Sequence, residues 1–250
     1  MKFVFIVFIS LFVVSTNQVI GQNEGDVDYE YEEYEDEEIS RVYFFEGNFS
    51  LYTPIDAFSE KMEKDLLIGF SLSFLMQLQK EKPSFLGIEA FHMHFGSFST
   101  DYDAVVGGEQ LVLNGRVASN ALGLHFNYRY YPPFKWGRLE PYVEGHLGVK
   151  WLYSYLSESG TFFDEEPYDN FDFLTGDWVM TYGGAFGMQI HVSDFYYLNF
   201  KSTYHFAISG EYQKKLDGNL EFVDFPQDAF ETIQSATNVV KWDVGMTFLF

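Results

Sequence analysis

Eight charged residues sit at alternating positions of segments that are otherwise rich in apolar side chains: Glu46, Glu89, Glu144 and Asp243 as acids, Arg129, Lys150, Lys201 and Lys241 as bases. Asn48, Ser71, Ser73, Asn127, Thr181, Gln189, Asn199 and Thr203 fall on the same faces. An unpaired charge removed from water costs several kcal/mol, so equal numbers of acids and bases predict paired charges in a confined space. Such a network would fill a narrow interior and hold its walls in register; the alternative is a polar path for small solutes or protons. His125, His146 and His205 share the parity of these positions, and Glu144 lies two residues from His146. A histidine beside a carboxylate can act as general acid and base or bind a metal. No HExxH spacing is present and no serine lies close enough to suggest a nucleophile pair. The three histidines are therefore expected to be satisfied inside the polar interior, with no catalytic residue, cofactor or metal.

Faces of this kind require strands. From Asn238 to Phe250, Val240, Trp242, Val244, Met246, Phe248 and Phe250 alternate with Lys241, Asp243, Gly245, Thr247 and Leu249, the period of two of a strand between different environments. The pattern recurs over 43–53, 66–78, 85–97, 121–131, 142–154, 178–191, 197–208 and 238–250. Each stretch is close to the roughly 9–11 residues with which a tilted strand crosses a bilayer. Connections alternate between short ones (79–84, 132–141, 192–196) and long ones (54–65, 98–120, 155–177, 209–237). Short periplasmic turns and long external loops in a membrane barrel produce this rhythm. On the third strand Leu86, Ile88 and Ala90 conflict with Phe91, Met93 and Phe95, which a bulge near Ala90 would reconcile. Asp217-Gly218 and, more weakly, residues 105–113 carry hairpin signals. Strands extended beyond the membrane would account for them, as would a ten-stranded barrel. Phe58, Met62 and Leu66 are spaced for one face of a short surface helix, and Tyr130, Tyr131, Trp136, Tyr196 and Tyr197 for an interfacial girdle.

Composition bounds the class. Lys2 followed by an apolar run to Val14 and a polar stretch ending at Gly21 reads as a secretory leader over 1–21. Asn23–Glu38 holds ten carboxylates and no base, so 22–41 is expected to be an acidic, disordered periplasmic tail. Residues 42–250 form the remaining domain. Cysteine is absent, which leaves burial and sheet closure to provide stability. Aromatic residues are 20% of the chain, more than a soluble core of this size uses. The net charge of −22 disfavours nucleic acid. The long loops hold 20 acids against five bases, and in 155–177 the acids interleave with Phe162, Phe163, Tyr168, Phe171 and Phe173. Solvated charge, divalent-cation binding and contact with a protein or glycan are all readings of that pattern. The expected fold is an all-β, transmembrane, antiparallel up-and-down β-barrel of eight strands, with ten as the alternative. A soluble lipocalin-like barrel would invert the two faces.

The runs Leu122-Gly123-Leu124-His125-Phe126-Asn127-Tyr128-Arg129-Tyr130-Tyr131-Pro132 and Pro141-Tyr142-Val143-Glu144-Gly145-His146-Leu147-Gly148-Val149, with the terminal Phe250, resemble the small outer-membrane β-barrel proteins of Gram-negative bacteria, of the OmpA, OmpX and OmpW kind common in Bacteroidota. The resemblance implies an outer-membrane location reached by signal-peptide export. It also implies a terminal signal, Trp242, Val244, Met246, Phe248 and Phe250, read by the barrel-assembly machinery. Outer-membrane lipids would surround the barrel, and an envelope protein could dock on the external loops or the acidic tail. The acidic tail departs from the usual pattern. A non-enzymatic structural or surface-interaction barrel is the first functional reading, a narrow porin-like pore the second and a lipid-modifying barrel enzyme the third. Deacylase barrels use a His-x-Ser pair, where this chain has His125-Phe126-Asn127.

Overall fold

The computed structural model of the chain describes residues 42–62, 66–79, 83–106, 108–161, 167–216 and 225–250. The expected leader and acidic tail, the Asp217-Gly218 hairpin signal and Phe162, Phe163, Asp164, Glu165 and Glu166 lie outside the described residues. Eight strands close into an antiparallel barrel: β1 (Tyr43–Pro54), β2 (Leu67–Gln77), β3 (Ser84–Val106), β4 (Glu109–Tyr130), β5 (Leu139–Thr161), β6 (Pro167–Ser193), β7 (Tyr196–Ala207) and β10 (Val239–Leu249). The first and last of these pair from Phe44↔Leu249 to Pro54↔Val239, which removes both sheet edges. Neighbouring strands follow one another in sequence except where β7 meets β10. There the chain leaves the barrel to form a two-stranded sheet from β8 (Ser209–Lys215) and β9 (Phe230–Ala236). The barrel thus has eight strands, and the additional hairpin is separate from it.

Two of the long connections are strand rather than loop. β3 and β4 remain paired out to Val106↔Glu109, and β5 and β6 out to Thr161↔Pro167. These strands exceed a bilayer crossing by roughly a dozen residues, so two ribbons rise from one end of the barrel. Gly108 turns the first ribbon at φ +95°, a conformation that a side chain would strain.

Alternation gives the barrel an apolar exterior. Ile68, Phe70, Leu72 and Phe74 on β2, Leu122, Leu124 and Phe126 on β4, and Trp178, Met180, Tyr182 and Phe186 on β6 are all exposed. Trp242, Val244, Met246 and Phe248 on β10 continue this surface. No helix among the described residues is long and apolar enough to cross a membrane.

The third strand departs from expectation. Phe91, Met93 and Phe95 point inward and are buried, while Leu86 and Ile88 point outward, so no conflict of faces exists at Ala90. The register shift falls between His94 and Gly96, at the base of the ribbon, where the strand must change twist. The short helix α1 (Asp56–Lys61) is present but ends before Leu66, which is exposed. Phe58 and Met62 turn into the mouth of the barrel instead of lying along its surface.

Candidate functional site: the closed lumen

The inward side chains form layers. At the end bearing the short turns, Phe44, Leu75, Phe85, Tyr131 and Tyr142 make a buried aromatic cap, with Phe44 stacked on Phe85 at 4.6 Å. Tyr131 belongs to this cap and not to an outer girdle. It is 9% exposed and its hydroxyl donates to Gln189 Oε1 at 2.8 Å, whereas Tyr130, on the opposite face, is 37% exposed. The Tyr131→Phe substitution is therefore expected to cost about 1 kcal/mol in urea unfolding. Tyr130→Phe should stay within about 0.5 kcal/mol, and equal effects would contradict the assignment.

Above the cap lies the charged band. Arg129 Nη2 donates to Glu46 Oε2 at 2.8 Å, Arg129 Nε donates to Glu144 Oε2 at 2.7 Å, and its guanidinium lies 4.0 Å over the Tyr142 ring. Lys201 reaches Glu89 at 2.7 Å, Glu144 at 3.3 Å and Asp243 at 3.7 Å. Lys241 reaches Glu89 at 2.5 Å and Asp243 at 3.1 Å. Neutral groups complete the shells: Gln189 and Thr247 donate to Glu46, Ser50 to Asp243 and Asn127 to Glu144. Four carboxylates and three cations from six strands are thereby linked. Breaking one pair would strand a buried charge, which is the condition under which such networks hold register.

Lys150 stands apart from this band. Its ammonium donates to the Thr237 carbonyl at 2.8 Å, and no described carboxylate forms an ion pair with it. The physical reason is its height: it pairs across β4 and β6 with Gly123 and Val179, at the edge of the apolar layer, not with the acids.

Next come the three histidines. His125 Nε2 lies 2.6 Å from Thr181 Oγ1, and its ring stacks at 4.7 Å on that of His146. His205 closes the group at 4.4 Å from His146. Inward-facing glycines flank these rings where the strands approach closely: a Cβ on Gly148 would stand 2.0 Å from the Leu124 carbonyl and 2.7 Å from His125, and one on Gly183 would stand 1.9 Å from the Tyr204 carbonyl and 2.8 Å from His146.

The end bearing the ribbons is closed by a second apolar cluster. Tyr52, Leu67, Phe91, Met93, Phe95, Leu152, Val179 and Val239 come from the barrel wall. Phe58 and Met62 join from above, and Tyr212 of β8 packs edge-on against Phe58 and Phe95 at 5.5 and 5.8 Å. The β8–β9 hairpin therefore lies over the mouth. Beyond it, Ala229 and Phe230 pack with Val117 and Leu156 on the ribbons. Tyr102 donates to Glu158 between the ribbons, and burial, aided by that carboxylate, pushes its phenol above the usual range.

Parity located every charged and histidine member of the lumen but missed its apolar ends. Tyr142 shares the parity of Glu144 and was legible on that ground. Phe91, Met93 and Phe95 share the parity of Glu89 and were legible on the same ground, but apolar residues on both faces of that strand obscured it.

No protein-family model matches the chain, and no curated protein matches it in sequence. Among solved structures, it is similar to Neisserial surface protein A at 9% identity, covering 83% of this chain and 95% of that one with a TM-score of 0.43. A major outer membrane protein from Thermus thermophilus has 13% identity, 84% and 100% coverage and a TM-score of 0.42. The N-terminal β-barrel domain of Pseudomonas aeruginosa OprF has 11% identity, 84% and 97% coverage and a TM-score of 0.32. At these identities and TM-scores the likeness transfers neither ligand nor partner. By its own strand pairing, the chain is an eight-stranded antiparallel up-and-down β-barrel.

Proposed function

We propose that this protein is a non-enzymatic outer-membrane barrel whose lumen does not conduct and whose role is to hold the two ribbons and the β8–β9 hairpin at the cell surface. The observation that carries this reading is the order of the inward layers: a paired charged band and a histidine group shut between an aromatic cap and an apolar plug. An ion crossing the lumen would have to pass both apolar layers, where desolvation opposes it. The apolar exterior supports residence in a bilayer, because a water-exposed surface of that size invites aggregation. Export through a leader, recognition of the terminal strand by the barrel-assembly machinery, and docking of an envelope partner on the ribbons or acidic tail belong to the same proposal.

Single-channel recording in planar bilayers tests it. The folded chain, Lys201→Ala and Asp243→Ala are all expected to give no steady openings. Openings of the unmodified chain that change in size or selectivity with either substitution would put a narrow pore in its place.

A further inference from the structure

The histidine group holds more coordinating capacity than the surrounding protein uses. His125, His146 and His205 come from β4, β5 and β7, and one ring nitrogen of each lies within 4.8 Å of the others. His146 is 5% exposed and His205 2% exposed, and the Nε2 atoms of both lack any hydrogen-bond partner. Buried polar atoms are nearly always satisfied, so two unmet nitrogens within one cluster point to a missing group. On β6, between β5 and β7, a Cβ on Gly183 would stand 1.9 Å from the Tyr204 carbonyl and 2.8 Å from both Cε1 and Nε2 of His146, so only glycine fits beside that ring.

We propose that these three histidines bind one late first-row transition-metal ion of the kind imidazole prefers, with Zn2+ as the reference case, joining β4, β5 and β7 inside the lumen. Neutral imidazoles suit zinc, copper and nickel, whereas magnesium and calcium require oxygen ligands. With Zn–N bonds of about 2.0–2.1 Å, the nitrogens would lie about 3.3 Å apart, so the rings must rotate and draw together on binding. Thr181 can accept the proton of His125 Nε2, leaving Nδ1 of that ring as the bare nitrogen, the orienting role that outer partners serve at metal sites. Three histidines leave a fourth position for water.

The buried charges of the lumen balance at four acids and four bases, and the carboxylate of Glu89 stands directly across from His125 in register. Lys201 and Lys241 are held by Glu89 and Asp243, while Lys150, two residues beyond the Gly148 that pairs with His125, donates to the Thr237 carbonyl. The site depends on barrel geometry alone and stands or falls independently of whether the lumen conducts.

The test uses the full chain refolded into detergent micelles after chelation, with Zn2+ supplied during refolding because both ends of the lumen are closed. After removal of free ion, plasma mass spectrometry should find about one zinc per chain. His146→Gln and His205→Gln, made separately and checked for folding by heat-dependent gel mobility, should bind at least about 10-fold more weakly. Co2+ refolded into the unmodified chain should give visible ligand-field bands that Zn2+ suppresses, a readout that needs no variant. Equal zinc in the unmodified chain and both variants would assign the metal to the acidic segments and overturn the proposal. Absence of retained zinc and of cobalt bands in the unmodified chain would overturn it as well.

Discussion

Replacing Arg129 with leucine is expected to destabilise the barrel by about 3–5 kcal/mol, because it leaves buried Glu46 without a cation and Glu144 with Lys201 alone. Arg129 is fully buried and is bound by Glu46 from one side and Glu144 from the other, so no water replaces it. Lysine in its place should recover only part of the loss, since a single ammonium cannot reproduce the forked contacts of a guanidinium. The informative companion is the triple substitution Arg129→Leu, Glu46→Gln and Glu144→Gln. Neutralising the stranded carboxylates should recover much of the stability if the cost is uncompensated charge. Urea unfolding in lipid vesicles, followed by tryptophan fluorescence, measures all three. A single-substitution loss below about 1 kcal/mol would mean that water enters the band and screens it.

The second large effect concerns the exterior. Phe126 is 65% exposed near the middle of the barrel section of β4, and Val112 is 64% exposed on the same face of the same strand, out on the ribbon. Their accessibilities are nearly equal, so a soluble barrel would tolerate a cation similarly at both. In a bilayer, Phe126→Arg at the midplane is expected to cost about 2–4 kcal/mol. Val112→Arg should stay within about 0.5 kcal/mol, as for an ordinary surface change. Paired unfolding measurements in vesicles check this, and matching effects at both positions would remove the membrane from the account of this fold.

The places of the eight barrel strands along the chain and the sorting of charged side chains to one face follow from period-two alternation, a local property, whereas the separation of the β8–β9 hairpin from the barrel, which decides eight strands against ten, does not. A residue and its second neighbour share a face whatever else the protein does. That is why Glu46, Glu89, Arg129, Glu144, Lys201, Lys241 and Asp243 could be grouped from their positions along the chain. Lys150 shares their parity yet pairs with no described carboxylate, because parity gives the face and not the height. Height depends on how far each strand is staggered against its neighbours when the barrel closes. The same limit hid the apolar plug, where Phe91, Met93 and Phe95 meet Phe58 and Tyr212 from segments more than a hundred residues apart in sequence at their extremes. It also hid the meeting of His125, His146 and His205. Alternation and the cost of exposing charge to lipid were enough to tell which polar residues face inward. Which of them touch emerged with the closed barrel and not before, because register and closure are set by all eight strands at once.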